Sequence, residues 1–158
     1  MGRTPFVWLF ALLLLTGCHP SAEEDRSHVA PLTILQSDGT LEVKEGPKLC
    51  LLADDALAYE VYPSPDGRAL AVETLLMSNL QTLRIYEKRG DGCFREVTPS
   101  PATTLWEEAA RRERVPVEEI EHPRIRFLRW EGERRLDVRL SGETPRGSFE
   151  LDLAYSLP

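Results

Sequence analysis

The sequence predicts a mainly β chain, a small antiparallel two-sheet sandwich carrying one inserted helix. Three observations carry this expectation. Roughly the last 35 residues alternate apolar and polar side chains with a period of two, as strands do when one face is buried and the other wet. Asp38-Gly39 and Pro65-Asp66-Gly67 each lie between two β-prone runs, where such residues turn a hairpin. Only one stretch, about 104–114, combines helical spacing with helical end signals.

The first hairpin is Leu32–Gln36 and Thr40–Lys44 around Ser37-Asp38-Gly39. Gly46-Pro47 breaks the chain, and Leu49–Leu52 is a short buried strand. A strand through Tyr59–Tyr62 then enters the Pro65-Asp66-Gly67 turn, and Arg68–Glu73 leaves it. Proline suits the first central position of such a turn, and glycine the position where φ becomes positive. Gln81–Glu87 is the next strand; Arg89-Gly90-Asp91-Gly92 turns it and Cys93–Val97 returns.

The stretch Ser64-Pro65-Asp66-Gly67-Arg68-Ala69-Leu70-Ala71 resembles the turn of β-propeller blade repeats. That resemblance implies a propeller-like fragment as the other arrangement of these strands. A weaker copy runs from Phe127 to Val138, with the same glycine turn followed by a leucine and a valine two apart. Gly67 and Gly132 are 65 residues apart; Leu70 and Leu136, like Val72 and Val138, are 66 apart. A blade takes about 40 to 45 residues, and an insertion near 100–122 accounts for the excess. Two units do not close a ring, which takes about four to eight blades. Pro-Asp-Gly is equally an ordinary hairpin turn.

The insertion holds the helix. Thr104-Leu105-Trp106-Glu107 has the form of a capping box, in which Thr104 and Glu107 satisfy each other's backbone amides. Glu107 and Glu108 suit the positive N-terminal end, and Arg111, Arg112 and Arg114 the negative C-terminal end. Glu108 and Arg112 are four apart in the favourable order. Leu105 and Ala109 form one face, with Trp106 and Ala110 beside it, and the helix stops before Pro116. Beyond it Ile125 and Phe127 alternate with Arg124 and Arg126. Leu136, Val138 and Leu140 alternate with Asp137 and Arg139, and Phe149, Leu151, Leu153 and Tyr155 with Glu150 and Asp152. Arg139 is expected opposite Glu150 or Asp152. Gly142 to Gly147 is read as the last turn.

The N-terminus has a different character. Met1 to Pro5 carries one positive charge, Arg3, and Phe6 to Leu15 is uninterrupted apolar sequence. Ten such residues fall short of the roughly 20 that a spanning helix needs. A charged start, a short apolar run and a small-residue end make a secretory signal. Leu15-Thr16-Gly17-Cys18 resembles the lipobox of bacterial lipoproteins. The resemblance implies a diacylglycerol on the Cys18 sulfur, cleavage between Gly17 and Cys18, and acylation, as with palmitate, of the new amine. Two or more chains hold stably to a membrane where one holds marginally. His19 is not the aspartate that retains such proteins at the inner membrane of enteric bacteria, which favours the outer membrane, facing the periplasm. The expected organisation is a signal peptide over 1–17, an anchor and flexible tether over 18–30 (CHPSAEEDRSHVA), and one β-rich domain over 31–158.

Cleavage would leave 141 residues, enough for one domain with a core of its own. It would remove only Arg3 among charged residues, leaving 18 basic against 26 acidic side chains, net −8. That sign argues against a nucleic-acid partner. With Cys18 occupied by lipid, Cys50 and Cys93 are an even pair in an oxidising compartment, and a disulfide between them is expected. Loop-closure entropy would make it worth roughly 4 kcal/mol. Two separate buried thiols are the alternative. The pair has no CxxC spacing and no nearby histidine, so neither a metal nor a cofactor is expected.

Candidate chemistry is sparse. His19 and His28 fall in the tether, leaving His122 in a loop before Pro123. A hydrolytic set would need it with Ser64, Ser78, Ser100 or Ser141 and an acid, and none of these serines sits in a Gly-x-Ser-x-Gly elbow. Asp54-Asp55 and Glu118-Glu119-Ile120-Glu121 are acidic clusters of the kind solvated in loops, though paired carboxylates can also cut glycosidic bonds. Arginine far outnumbers lysine, which suits an interface and also follows from a GC-rich genome. The expected function is a non-enzymatic envelope lipoprotein that binds another envelope protein or supports envelope structure. A small envelope hydrolase, or an accessory subunit of one, is the second expectation. A ligand-binding or inhibitor module is the third, its mark an exposed aromatic patch near Trp106 and Trp130.

Overall fold

The computed structural model describes residues 31–78 and 80–158. The expected signal peptide, Cys18 and the tether lie outside the described residues. The described residues form ten strands and one α-helix: β1 (Leu32–Ser37), β2 (Thr40–Glu45), β3 (Lys48–Ala53), β4 (Ala58–Pro63), β5 (Ala69–Met77), β6 (Leu80–Lys88), β7 (Phe94–Glu96), α1 (Pro101–Glu113), β8 (Glu121–Trp130), β9 (Arg135–Thr144) and β10 (Gly147–Ser156). A 3₁₀ turn, Val117–Glu119, follows α1. All strand pairing is antiparallel between sequence neighbours, giving an N-terminal sheet β1-β2-β3, a central sheet β4-β5-β6-β7 and a C-terminal sheet β8-β9-β10.

The turns follow the chemistry of their residues. Asp38 and Gly39 both have positive φ (47° and 78°), the pattern that matches a two-residue turn to strand twist. A side chain at Gly39 would press on the Ala56 carbonyl at 2.9 Å. In the second hairpin the Ser64 hydroxyl accepts from the Ala69 amide at 2.9 Å and donates to Asp66 at 2.6 Å. Asp66 in turn accepts from the Arg68 amide at 3.1 Å. Ser64 is thereby buried with its hydrogen bonds made.

The antiparallel, sandwich-like expectation holds, with three sheets where two were expected. The central sheet is covered on both faces. Ala69, Ala71, Leu83 and Ile85 face the C-terminal sheet and α1, in a core with Leu105, Ile125, Leu136, Val138, Leu140 and Leu153. Leu70, Val72, Tyr86 and Phe94 face the N-terminal sheet, in a core with Leu41, Val43, Ala53 and Tyr59. Double coverage is why β5 is buried at every position from Ala69 to Thr74 and shows no alternation. Leu70 and Val72, and likewise Leu136 and Val138, face the sheet that precedes their own. The matching Gly67 and Gly132 both have positive φ.

Several local expectations change. Leu49 and Leu51 of β3 are exposed, so that strand is not buried throughout, and His122 lies within β8 and not in a loop. The helix begins at Pro101, not Thr104, with Ser100 at its N-cap and no side-chain cap. Proline lacks an amide and has helical φ preset, so it starts the helix ahead of the expected capping box. The C-terminal end is at Glu113, before Pro116, with Arg114 left-handed (φ 56°). Gly142 is not part of the last turn. It lies within β9, where an added Cβ would meet Ile120 at 2.9 Å and Phe149 at 3.1 Å. Only Pro145 and Arg146 separate β9 from β10.

Cys50 and Cys93 form a disulfide with a Cα–Cα distance of 5.8 Å, tying β3 to the entrance of β7. Arg139 lies opposite Asp152 and forks onto it at 2.7 and 2.9 Å, with Glu150 at 3.2 Å. Glu108 pairs with Arg112 at 2.7 Å. No described helix is long and apolar enough to cross a membrane.

Candidate functional site

The β4–β5 register sets Glu60 directly across from Glu73, and Tyr62 across from Ala71, on the face turned to the C-terminal sheet. Glu73 is 7 % exposed, one of three buried polar side chains among the described residues. One of its oxygens accepts from the backbone amide of Phe127, and the other from the Gln81 amide at 2.6 Å. Phe127 lies in β8, at the edge of its sheet and next to a register shift. Glu73 therefore supplies the acceptor that a further strand would have supplied to β8. Burial pushes its carboxyl above the usual range, and repulsion from Glu60 adds to this; the Phe127 amide, Arg126 and Gln81 pull the other way.

Around it the walls are aromatic. Tyr62 stacks on Phe127 with ring centroids 4.4 Å apart, and its hydroxyl donates to Glu60 at 2.5 Å. Burial, then that bond to Glu60, raises the Tyr62 phenol. The Trp130 ring leans on Phe127, and its indole N–H donates to the Tyr62 carbonyl at 2.9 Å. A cleft of about 460 Å³ opens here, lined by Tyr59, Glu60, Tyr62, Glu73, Arg126 and Phe127. Both Glu73 oxygens are engaged with protein donors, so its work is to hold two sheets together. Glu60 and Arg126 are exposed, one charge of each sign.

The residues singled out from the sequence are dispersed. His122 (φ 50°) lines a second hollow, of about 500 Å³, with Ser141, Glu143 and Glu150. No side-chain hydrogen bond joins His122 to Ser141 or to a carboxylate among the described residues. Ser64 is occupied in its turn, Ser100 heads α1, and Ser78 is exposed just beyond β5. Asp55 forks onto Arg84 of β6 at 2.8 and 2.7 Å, and that guanidinium holds its carboxyl below the usual range. Glu118, Glu119 and Glu121 are exposed on and beside the 3₁₀ turn. Among the described residues no group of three His, Cys, Asp or Glu could hold a metal ion. Trp106 is half-buried on the larger core and lines a third hollow, of about 530 Å³, with Leu80, Ala102, Val117, Ile120 and Pro123.

One backbone feature adds to these. β10 is ten residues long, and its outer edge pairs with no strand among the described residues. It contains neither proline nor lysine, the residues that commonly blunt such edges.

The pair Glu60 and Glu73 was missed in reading the sequence. Its signal was present: Glu73 interrupts the apolar run Ala69–Leu76, and the Pro65-Asp66-Gly67 hairpin fixes which residue faces it. The chain matches no family model, and comparison with curated proteins and with solved structures likewise yields no match.

Proposed function

We propose that the protein is a bacterial envelope lipoprotein, anchored through lipid on Cys18 and facing the periplasm from the outer membrane. Its domain works by binding another envelope protein, without catalysis. The address rests on Leu15-Thr16-Gly17-Cys18 following a short apolar run. The open edge of β10 carries the binding reading. A row of unpaired amides and carbonyls lets a partner add a strand, while side chains on alternate faces give specificity.

The test has two arms. Metabolic palmitate labelling should mark the wild type and not Cys18→Ser, which should stay an uncleaved precursor. A photo-crosslinking residue at exposed Ala154 of β10 should capture one envelope protein, and the same residue at exposed Arg95 of β7 should not. Equal capture at both positions, or none, removes the edge-binding reading. A small-ligand reading is favoured by one observation, the apolar hollow beside Trp106. The hydrolase reading has the shared hollow of His122 and Ser141 in its favour, and turnover of a cell-wall fragment lost in His122→Ala would support it.

A further inference from the structure

The outward face of the N-terminal sheet gathers three of the seven large hydrophobics exposed among the described residues. Register sets Leu35 across from Glu42 and Glu42 across from Leu51; Lys44 sits across from Leu49. The partners of the next positions, Val43 and Cys50, point inward and are buried. The outward row therefore carries three leucines, 41 % (Leu35), 52 % (Leu49) and 57 % (Leu51) exposed, around one acid and one base. On a chain of net charge −7 this face is apolar and electrically balanced.

The chain enters this same sheet. Pro31 leads directly into β1, and Cys18 lies 13 residues before it. As the tether expected from their composition, residues 18–30 would span about 20 Å on average. A domain of this size has a radius of gyration of about 14 Å, so its far side lies beyond that typical reach. The layer that the tether enters is the one held nearest the lipid. The C-terminal sheet is the opposite layer of the stack.

We propose that the outer face of β1–β3 rests on the membrane, with Leu35, Leu49 and Leu51 seated among zwitterionic headgroups. This rests on the lipid anchor at Cys18. The balanced Glu42 and Lys44 suit headgroups that carry both signs, and leucine burial supplies the attraction. The anchor and the face then act at one site, where the second contact is intramolecular. The domain is held in one orientation, with sheet β8–β10 turned away from the lipid.

Brominated lipid tests this. Lipidated protein, cleaved before Cys18 and otherwise complete, is reconstituted in dibromo-phosphatidylcholine vesicles and recovered by flotation. The introduced tryptophan of a Leu51→Trp variant should be quenched, and native Trp106 and Trp130 should not. Seating one leucine favours the docked orientation by roughly tenfold, so adding Leu35→Ser and Leu49→Ser should abolish the quenching. If the Leu51→Trp protein floats with vesicles but its introduced indole stays unquenched, and Leu49→Trp behaves the same, the docked face is overturned and the anchor left standing. Failure to float denies the anchor itself. Emission that shifts with protein concentration and not with brominated lipid would assign the face to a second copy of the chain, and also overturns the proposal.

Discussion

The two interfaces of the central sheet are built differently. Its C-terminal side buries thirteen residues in one core that spans two sheets and a helix; its N-terminal side buries nine. The smaller interface is tied at its periphery. Cys50–Cys93 joins β3 to the start of β7, Lys88 reaches Glu45 at 2.6 Å, and Arg84 forks onto Asp55. Polar side chains of the central sheet are buried at both interfaces. On the larger side Glu73 has a donor for each oxygen; on the smaller side the Tyr86 hydroxyl has no partner among the described residues. Polar links cross both interfaces, but the larger apolar core closes the first, and a covalent link supplements the smaller core at the second.

Removing the covalent tie should break the comparison most. Cys50→Ser with Cys93→Ser should cost roughly 4 kcal/mol in denaturant titration, as should reduction of the wild type. Hydrogen exchange should then speed first in β1–β3, with β8–β10 still protected. Uniform loss of protection would show that the interfaces do not differ in this way. In the larger core, Leu83→Ala should cost about 3 kcal/mol through the cavity it leaves, and its effect should be global whether the disulfide is intact or reduced.

Glu73 gives the next effect. Glu73→Leu strands the Phe127 amide and the Gln81 side chain, and should cost about 1 to 3 kcal/mol. Glu73→Gln keeps an acceptor and should cost less. The raised carboxyl also fixes a sign. The folded state holds this proton more tightly than the unfolded state, where the value is about 4.3. Its contribution favours folding below that pH and is lost as pH rises through the higher folded value. Glu73→Gln should flatten that part of the stability–pH curve, which urea midpoints across the acid range would reveal. An unchanged curve would deny the shift. The smallest effect is at Tyr86→Phe. Deleting a hydroxyl without a partner should leave stability unchanged or raise it by up to about 1 kcal/mol.

Legibility in the sequence followed the range of the interactions. Ser64, Asp66 and Gly67 each do a local task, so their turn could be read directly, and the alternation in β9 and β10 fixed their faces and the Arg139–Asp152 pair. The helix start was displaced because Pro101, lying ahead of the expected capping box, is itself a good first helical residue. Gly142 looked like a turn residue because closeness to Ile120 and Phe149 leaves no local mark. The third sheet was not legible for the same reason. Ala69–Thr74 needs both faces covered, but the residues that cover them come from Leu41 and Val43 on one side and Leu136 to Leu140 on the other. The clue at Glu73 was a carboxylate inside that run, whose acceptor role appears only once β8 is brought alongside.

The Cys50–Cys93 bond also has a mechanical meaning. A tension applied between Pro31 and the C-terminal layer must cross from the N-terminal to the central layer, the join with the fewer apolar neighbours. The sulfur bridge spans that join, so the first layer cannot peel away cleanly while it is intact. Oxidation state would then set how far the chain extends as the domain unravels, and a pulling experiment from the N-terminus with and without reductant would read that difference as a change in rupture length.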